Sequence, residues 1–195
     1  ILARRFIMRR KVYTRDYILK SAYELVEKEG FGNFTARNVA KKMGVSTQPI
    51  YLEFENMQDL KDTLIDEIFT ELKQKVFVQE HTGNKLVDVC INYIDFSQKK
   101  PKLFISLFID ESGGGKKMYD VSYQYFKEVV KEDPTYKDLP ADFIEALHDG
   151  TWITITGVAS LMASGFITPN RQQIVEIIQH SIDGILEINK QKTNS

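Results

Sequence analysis

Ser46, Thr47 and Gln48 stand side by side in the chain, and Tyr51 follows at helical spacing. Short hydroxyls and a carboxamide at one end of a helix can bond phosphate oxygens and base edges, and an amide suits adenine in a bidentate pair. Arg37, Lys41 and Lys42 lie just upstream and add positive charge. Nothing comparable points to catalysis. His81, His148 and His180 stand far apart without HxxxH, HExxH or a cysteine pair, so no zinc or nucleophile motif is expected. The run 113–116 faintly resembles a phosphate loop, but Asp110 stands where glycine is required and Lys117 where Ser or Thr would carry the metal. We therefore expect no enzyme, no catalytic residue, no metal and no cofactor, and read the glycines at 113–115 as a flexible surface loop.

The polar groups need a scaffold that presents them. Val39, Ala40 and Met43 recur at helical spacing, Gly44 suits a tight turn, and Val45, Ile50 and Phe54 give the following helix a buried side. Pro49 is tolerated in a first helical turn, where N–H groups are spare. Two helices joined so tightly cross steeply, as in a helix-turn-helix, with the second entering the major groove by its N-terminal end. Upstream, Tyr17, Ile18, Ala22, Leu25 and Val26 form another apolar stripe ending at Glu29-Gly30, and Thr35 is a natural N-cap. The run 17–60 resembles the DNA-binding domain of the tetracycline-repressor (TetR) family. Ile18, Ala22, Glu29-Gly30, Thr35, Val39-Ala40, Met43-Gly44-Val45-Ser46, Ile50-Tyr51, Phe54 and Leu60 carry the likeness.

The resemblance implies DNA contacts from Arg37, Thr47, Gln48 and Tyr51, the last to a phosphate, with Thr35, Ser46, Lys41 and Lys42 nearby; Tyr51 could instead pack under the domain. It also exposes a departure. Where the family usually has a phosphate-binding lysine, three residues after Phe54, this chain has Met57, with Glu53 and Glu55 close by. The basic arm, with Arg9, Arg10 and Lys11, is expected to follow the backbone or a minor groove, or else to be a solubilising tail. Met8 reads as a natural start, which would leave 1–7 outside the native chain.

Charge divides along the same line. Residues 1–60 hold 11 Lys/Arg and 7 Asp/Glu, net +4; residues 61–195 hold 15 and 20, net −5, summing to the −1 of the whole. A positive head on an acidic body fits localised nucleic-acid contact. Cys90 is the only cysteine and is expected to be buried and inert. With no apolar run of membrane-spanning length and no signal-peptide pattern, a cytoplasmic protein that does not enter a membrane is expected.

The fold class expected is all-α, with about nine helices. A basic arm (1–13) and a three-helix head (14–56) precede a helical effector-binding and dimerisation body (57–195). Helices are predicted over 57–78, 85–100, 102–111, 116–131, 141–164 and 171–190. By the resemblance, the last two pair with their two-fold mates, through Phe143, Leu147, Val158, Leu161, Ile174, Ile178, Ser181 and Ile185. A homodimer would hold two recognition helices roughly 34–36 Å apart on a near-palindromic operator. Asn92, Tyr93, Phe96, Phe104, Phe108, Tyr123, Phe126, His148 and Trp152 could line a cavity for a hydrophobic or amphipathic small-molecule effector, or simply fill the core. Where some TetR-like regulators have His-Gly after this tryptophan, the chain has Thr156-Gly157. The expected function is a ligand-responsive transcriptional repressor; the alternative is a helical dimeric adaptor for a protein partner.

Overall fold

A computed structural model describes residues 13–193, so Arg9, Arg10 and Lys11 lie outside the described residues. Nine α-helices and no strand occur among the described residues. Helix α1 (Arg15–Glu29) is capped by Thr14, whose hydroxyl accepts from the Tyr17 N–H, and stops at Gly30, with φ +77°. A short 3-10 turn leads to α2 (Ala36–Met43), where Thr35 Oγ1 accepts from the Asn38 N–H. Gly44, at φ +71°, closes α2 in the left-handed conformation that only glycine adopts cheaply, and Val45 N–H returns to the Ala40 carbonyl. Helix α3 (Gln48–Glu53) follows at once, carrying Pro49 in its first turn.

Helix α4 (Met57–Glu71) starts at Asn56, whose side chain accepts from two backbone N–H groups. It widens into a π turn over Leu72–Val76, and this re-aims Phe77 to stack on Tyr125 at 5.8 Å and meet Phe69 edge-on. The body continues with α5 (Lys85–Lys99), α6 (Pro101–Phe108), α7 (Gly115–Glu132), α8 (Ala141–Ala163) and α9 (Arg171–Thr193). Helix α5 is buried nearly all round because α8, α9 and α6 close on different sides of it. Gly150 brings α8 and α9 together: a Cβ there would fall 2.4 Å from Ile185 Cδ1.

Two expectations are corrected by this packing. The glycines at 113–115 are not a flexible surface loop: a Cβ on Gly113 would lie 2.0 Å from the Ser106 carbonyl oxygen, and one on Gly114 2.3 Å from Met118 Cγ. Gly113 and Gly114 form a tight turn pressed against the end of α6, and only Gly115, which opens α7, faces open space. Among the residues assigned to a dimer face, Phe143, Leu147, Val158, Ile174 and Ile178 are buried within the subunit. Their apolar stripe is already covered by α5 and by the α8–α9 contact itself. Ser181 bonds Thr154 at 2.9 Å and Ile185 packs on Gly150, while Leu161 alone of the set is exposed.

Candidate nucleic-acid interface and the cavity behind it

Helix α3 is too short to be stable by itself, so tertiary anchors must hold it. Ile50 and Phe54 point inward and are buried against α1 and α2 side chains including Ile18, Ala22, Val39 and Met43. Arg15 fastens the other end. Its guanidinium donates to the Glu53 carbonyl at 2.8 Å and to Thr63 Oγ1 at 3.1 Å, and lies 4.1 Å from the Phe54 ring centre. A cation at the C-terminus of a helix is also favoured by the helix dipole. Sequence reasoning missed Arg15 because its partners are 38 and 48 residues away.

With the apolar side anchored, Ser46, Gln48 and Tyr51 are exposed and Thr47 half-buried. Thr47 makes no side-chain cap, so its hydroxyl is not committed to its own helix. Tyr51 is 53% exposed and does not pack under the domain. Arg37 and Lys41 are exposed on α2, whereas Lys42 pairs with Glu24 at 3.2 Å. Thr35 is occupied as the α2 cap. Met57 begins α4 half-buried, and the adjacent Glu55 N–H is taken by Asp59. This edge of the head therefore presents carboxylates where a lysine would neutralise phosphate.

Behind the head, the body holds a cavity of about 60 Å³ lined by Phe69, Phe77, Leu86, Val89, Cys90, Tyr93, Phe108, Ser122, Tyr125, Phe126, His148, Thr151, Trp152 and Ile155. Of the effector residues expected from sequence, the structure brings Tyr93, Phe108, Phe126, His148 and Trp152 to it. Four others are corrected. Asn92 and Phe96 project from the opposite side of α5 into a separate cleft of about 360 Å³; there the Asn92 amide donates to the Gln79 carbonyl and its oxygen lies 2.8 Å from His81 Nε2. Phe104 sits behind the wall against Tyr93 and Phe108, and Tyr123 sits outside it against His148. Burial pushes the Cys90 thiol up to about 12, leaving it protonated and unreactive.

At one end, His148 Nδ1 lies 2.9 Å from Asp149 Oδ1, which also accepts from the Tyr119 hydroxyl, and His148 Nε2 lies 3.3 Å from Ser122 Oγ. The bond to Asp149, with a smaller contribution from burial, pushes the Tyr119 hydroxyl up to about 12. Burial lowers the His148 pKa against the opposing pull of Asp149 and Glu145. Ser122, His148 and Asp149 have the connectivity of a hydrolytic triad, but not its chemistry. The Ser122 hydroxyl donates to the Tyr119 carbonyl at 2.9 Å, and it sits inside α7, where backbone N–H groups serve the helix and no oxyanion hole is formed. No group of three or more His, Cys, Asp or Glu among the described residues could hold a metal ion, and no described helix is long and apolar enough to cross a membrane.

Cavity and head meet on α6. Phe108 faces the cavity, while Ser106 accepts a buried hydrogen bond from the Phe31 N–H at 2.9 Å, just past the end of α1. Lys100, before α6, donates to Glu27 at 2.7 Å and Tyr23 at 2.8 Å, and Lys61 on α4 donates to the Ser112 carbonyl at 2.7 Å.

Two short helices joined by a glycine turn, the second anchored and polar-tipped, define a helix-turn-helix. Residues 18–63 match the model of the bacterial regulatory proteins of the tetR family. Residues 18–63 are thus similar to the DNA-binding domain of that family, and the chain is a DNA-binding transcriptional regulator. It is 21% identical over 173 residues to an uncharacterised HTH-type transcriptional regulator of Haemophilus influenzae, covering 84% of each chain. Its fold is similar to a TetR family protein from Vibrio parahaemolyticus (TM-score 0.58, 17% identity, 87% of this chain and 96% of the other). It is similarly close to the fatty acid degradation regulator FadR from Bacillus halodurans (TM-score 0.58, 16% identity, 86% and 94%).

Proposed function

We propose that the protein is a cytoplasmic, homodimeric repressor, with a reading head over 14–56 and an effector-binding body over 57–195, released from a near-palindromic operator by a small, mainly apolar ligand. Gln48 reads a base edge, Thr47 and Ser46 contribute hydrogen bonds, and Tyr51, Arg37 and Lys41 meet phosphates. The observation that carries the reading is the double duty of α6, whose Phe108 faces the cavity and whose Ser106 holds the end of α1. A ligand larger than about 60 Å³ must displace the ring side chains around it. Displacing Phe108 shifts α6, and with it the bond that sets the head's position. Such a ligand binds the two states unequally, as release from DNA requires.

Dimerisation uses the side of the α8–α9 hairpin turned away from α5. There Ile153 is 72% exposed, Leu161 and Ile188 are exposed, and both Gly157 and Gly184 face open space. Glycines on an apolar helix face allow a second pair of helices to approach closely.

The test is anisotropy with DNA flanking the protein's own gene, across a salt series, for wild type, Gln48→Ala and Tyr51→Phe. Gln48→Ala should relax discrimination at one base position in each half-site by about 1–3 kcal/mol. Tyr51→Phe should weaken all sequences alike. Weak binding, equal on scrambled DNA, would refute the operator reading.

A further inference from the structure

We propose that the cavity selects an uncharged, mainly apolar ligand with a single hydrogen-bond acceptor, and that the Trp152 indole N–H is the group that recognises it. The proposal rests on the reading of this cavity as the effector site.

The cavity's wall contains no lysine or arginine. Its one base, His148, is 3% exposed and its pKa is lowered, chiefly by burial. The acidic groups at that end are Asp149, bonded to His148 and Tyr119, and Glu145, whose field reaches both. A ligand carboxylate would therefore be desolvated with no cation to pair it and with carboxylates near. Thr156 lies 2.9 Å from the Tyr93 hydroxyl, so this side of the wall is neutral too.

Three of the wall's four hydroxyl-bearing residues have partners there, and the fourth, Tyr125, also borders an outer cleft with Lys73 and Glu128. Tyr93 is joined to Thr156, Ser122 donates to the Tyr119 carbonyl, and Thr151 donates to the Leu147 carbonyl at 2.6 Å. One group is left over. Among the described residues, Trp152 Nε1 is the one buried side-chain nitrogen or oxygen without a hydrogen-bond partner. The Tyr93 oxygen lies close enough for the indole N–H to lower its pKa, but not in hydrogen-bond geometry, so a ligand oxygen placed in line with the N–H makes the better acceptor. A buried donor without an acceptor is costly, and a carbonyl, ester or ether oxygen removes that cost. An apolar ligand lacking such an atom leaves the donor unpaired, so the site discriminates by acceptor as well as by shape.

The chain has a single tryptophan, so one indole N–H resonance reports on the site. The full-length protein would be titrated at pH 8 with acetophenone, ethylbenzene and benzoate, probes of similar shape that differ in acceptor and charge. Affinity is read by calorimetry, and the indole by ¹H–¹⁵N spectra. Acetophenone should bind about tenfold tighter than ethylbenzene and about a hundredfold tighter than benzoate, and it alone should move the indole N–H downfield. Trp152→Phe, its fold checked by circular dichroism and melting temperature, should erase the preference for acetophenone over ethylbenzene. Benzoate binding as tightly as the ketone, a preference that survives in Trp152→Phe, or no binding by any probe overturns the proposal. Operator anisotropy with the same compounds separates the two ideas. If acetophenone binds with the stated preference but leaves operator affinity unchanged, the effector reading fails and the ligand class stands.

Discussion

The reading surface and the cavity handle polar groups in opposite ways. On α3 the apolar side chains Ile50 and Phe54 are used up as anchors, and the polar ones, Ser46, Gln48 and Tyr51, are left exposed to water. In the cavity the apolar rings form the open wall, and the polar groups are tied to one another: Ser122 to Tyr119, His148 to Asp149, Tyr93 to Thr156. The contrast follows from where each ligand's charge can be solvated. Phosphates are met at a wet surface, where uncommitted donors cost nothing while unoccupied. A buried pocket has no water to hold spare donors, so each one left unpaired is a liability until a ligand meets it.

The largest expected effect breaks one region and spares the other. Ile50→Ala removes the fully buried anchor of α3, a change that costs about 2–5 kcal/mol in a core. Operator binding should vanish, and the head should lose cooperativity in urea melts, while ligand affinity in the cavity is retained. If operator affinity stays within tenfold of wild type, the anchoring of α3 has been misread. The next effect tests whether two reading surfaces act together. Leu161→Lys with Ile188→Lys should give a monomer by sedimentation equilibrium and weaken a full operator at least about a hundredfold, since the second half-site then binds without the linkage. A dimer that persists would move the interface elsewhere.

The same contrast explains what could be read from the sequence. The helix-turn-helix was legible because its parts are contiguous: Thr35 as a cap, Gly44 as a left-handed turn, and Ile50 and Phe54 as the inward side all fall within one short run, and each acts on its neighbours. The cavity was legible only in part, because periodicity tells that a face is buried and not by what. Helix α5 is buried on several sides, so Tyr93 faces the cavity while Asn92 and Phe96, equally apolar in context, face another cleft. Phe143, Leu147, Ile174 and Ile178 make a stripe that suits a dimer as well as it suits α5. Arg15 and Ser106 carried no local signal; their partners are 38 and 75 residues away, and only the folded chain brings them together.

The bond between the two regions gives a smaller, sharper test. Ser106→Ala leaves the Phe31 N–H buried without an acceptor, which costs about 1–3 kcal/mol. Cavity affinity measured without DNA should be unchanged, whereas the ligand's effect on operator affinity should shrink, because α6 no longer grips the end of α1. Full ligand-driven release from Ser106→Ala would show that the signal travels by another route, with the Lys100–Glu27 contact as the remaining candidate.

The smallest effect is a pH dependence confined to the cavity. Burial holds the His148 pKa below its ordinary 6.5, so the unfolded chain takes up that proton at higher pH than the folded one. The stability tied to neutral His148 is therefore complete above about pH 6.5, is lost as pH falls toward the lowered folded value, and stays lost below it. His148→Gln removes the titration while keeping a polar side chain. The melting temperature of wild type should fall more steeply than that of the variant between about pH 7 and pH 5. Ile50→Ala, which acts on the head, should keep the wild-type slope. Parallel slopes for wild type and His148→Gln would mean that Asp149 and Glu145 offset the burial, and that the polar end of the cavity accepts charge more readily than its walls suggest.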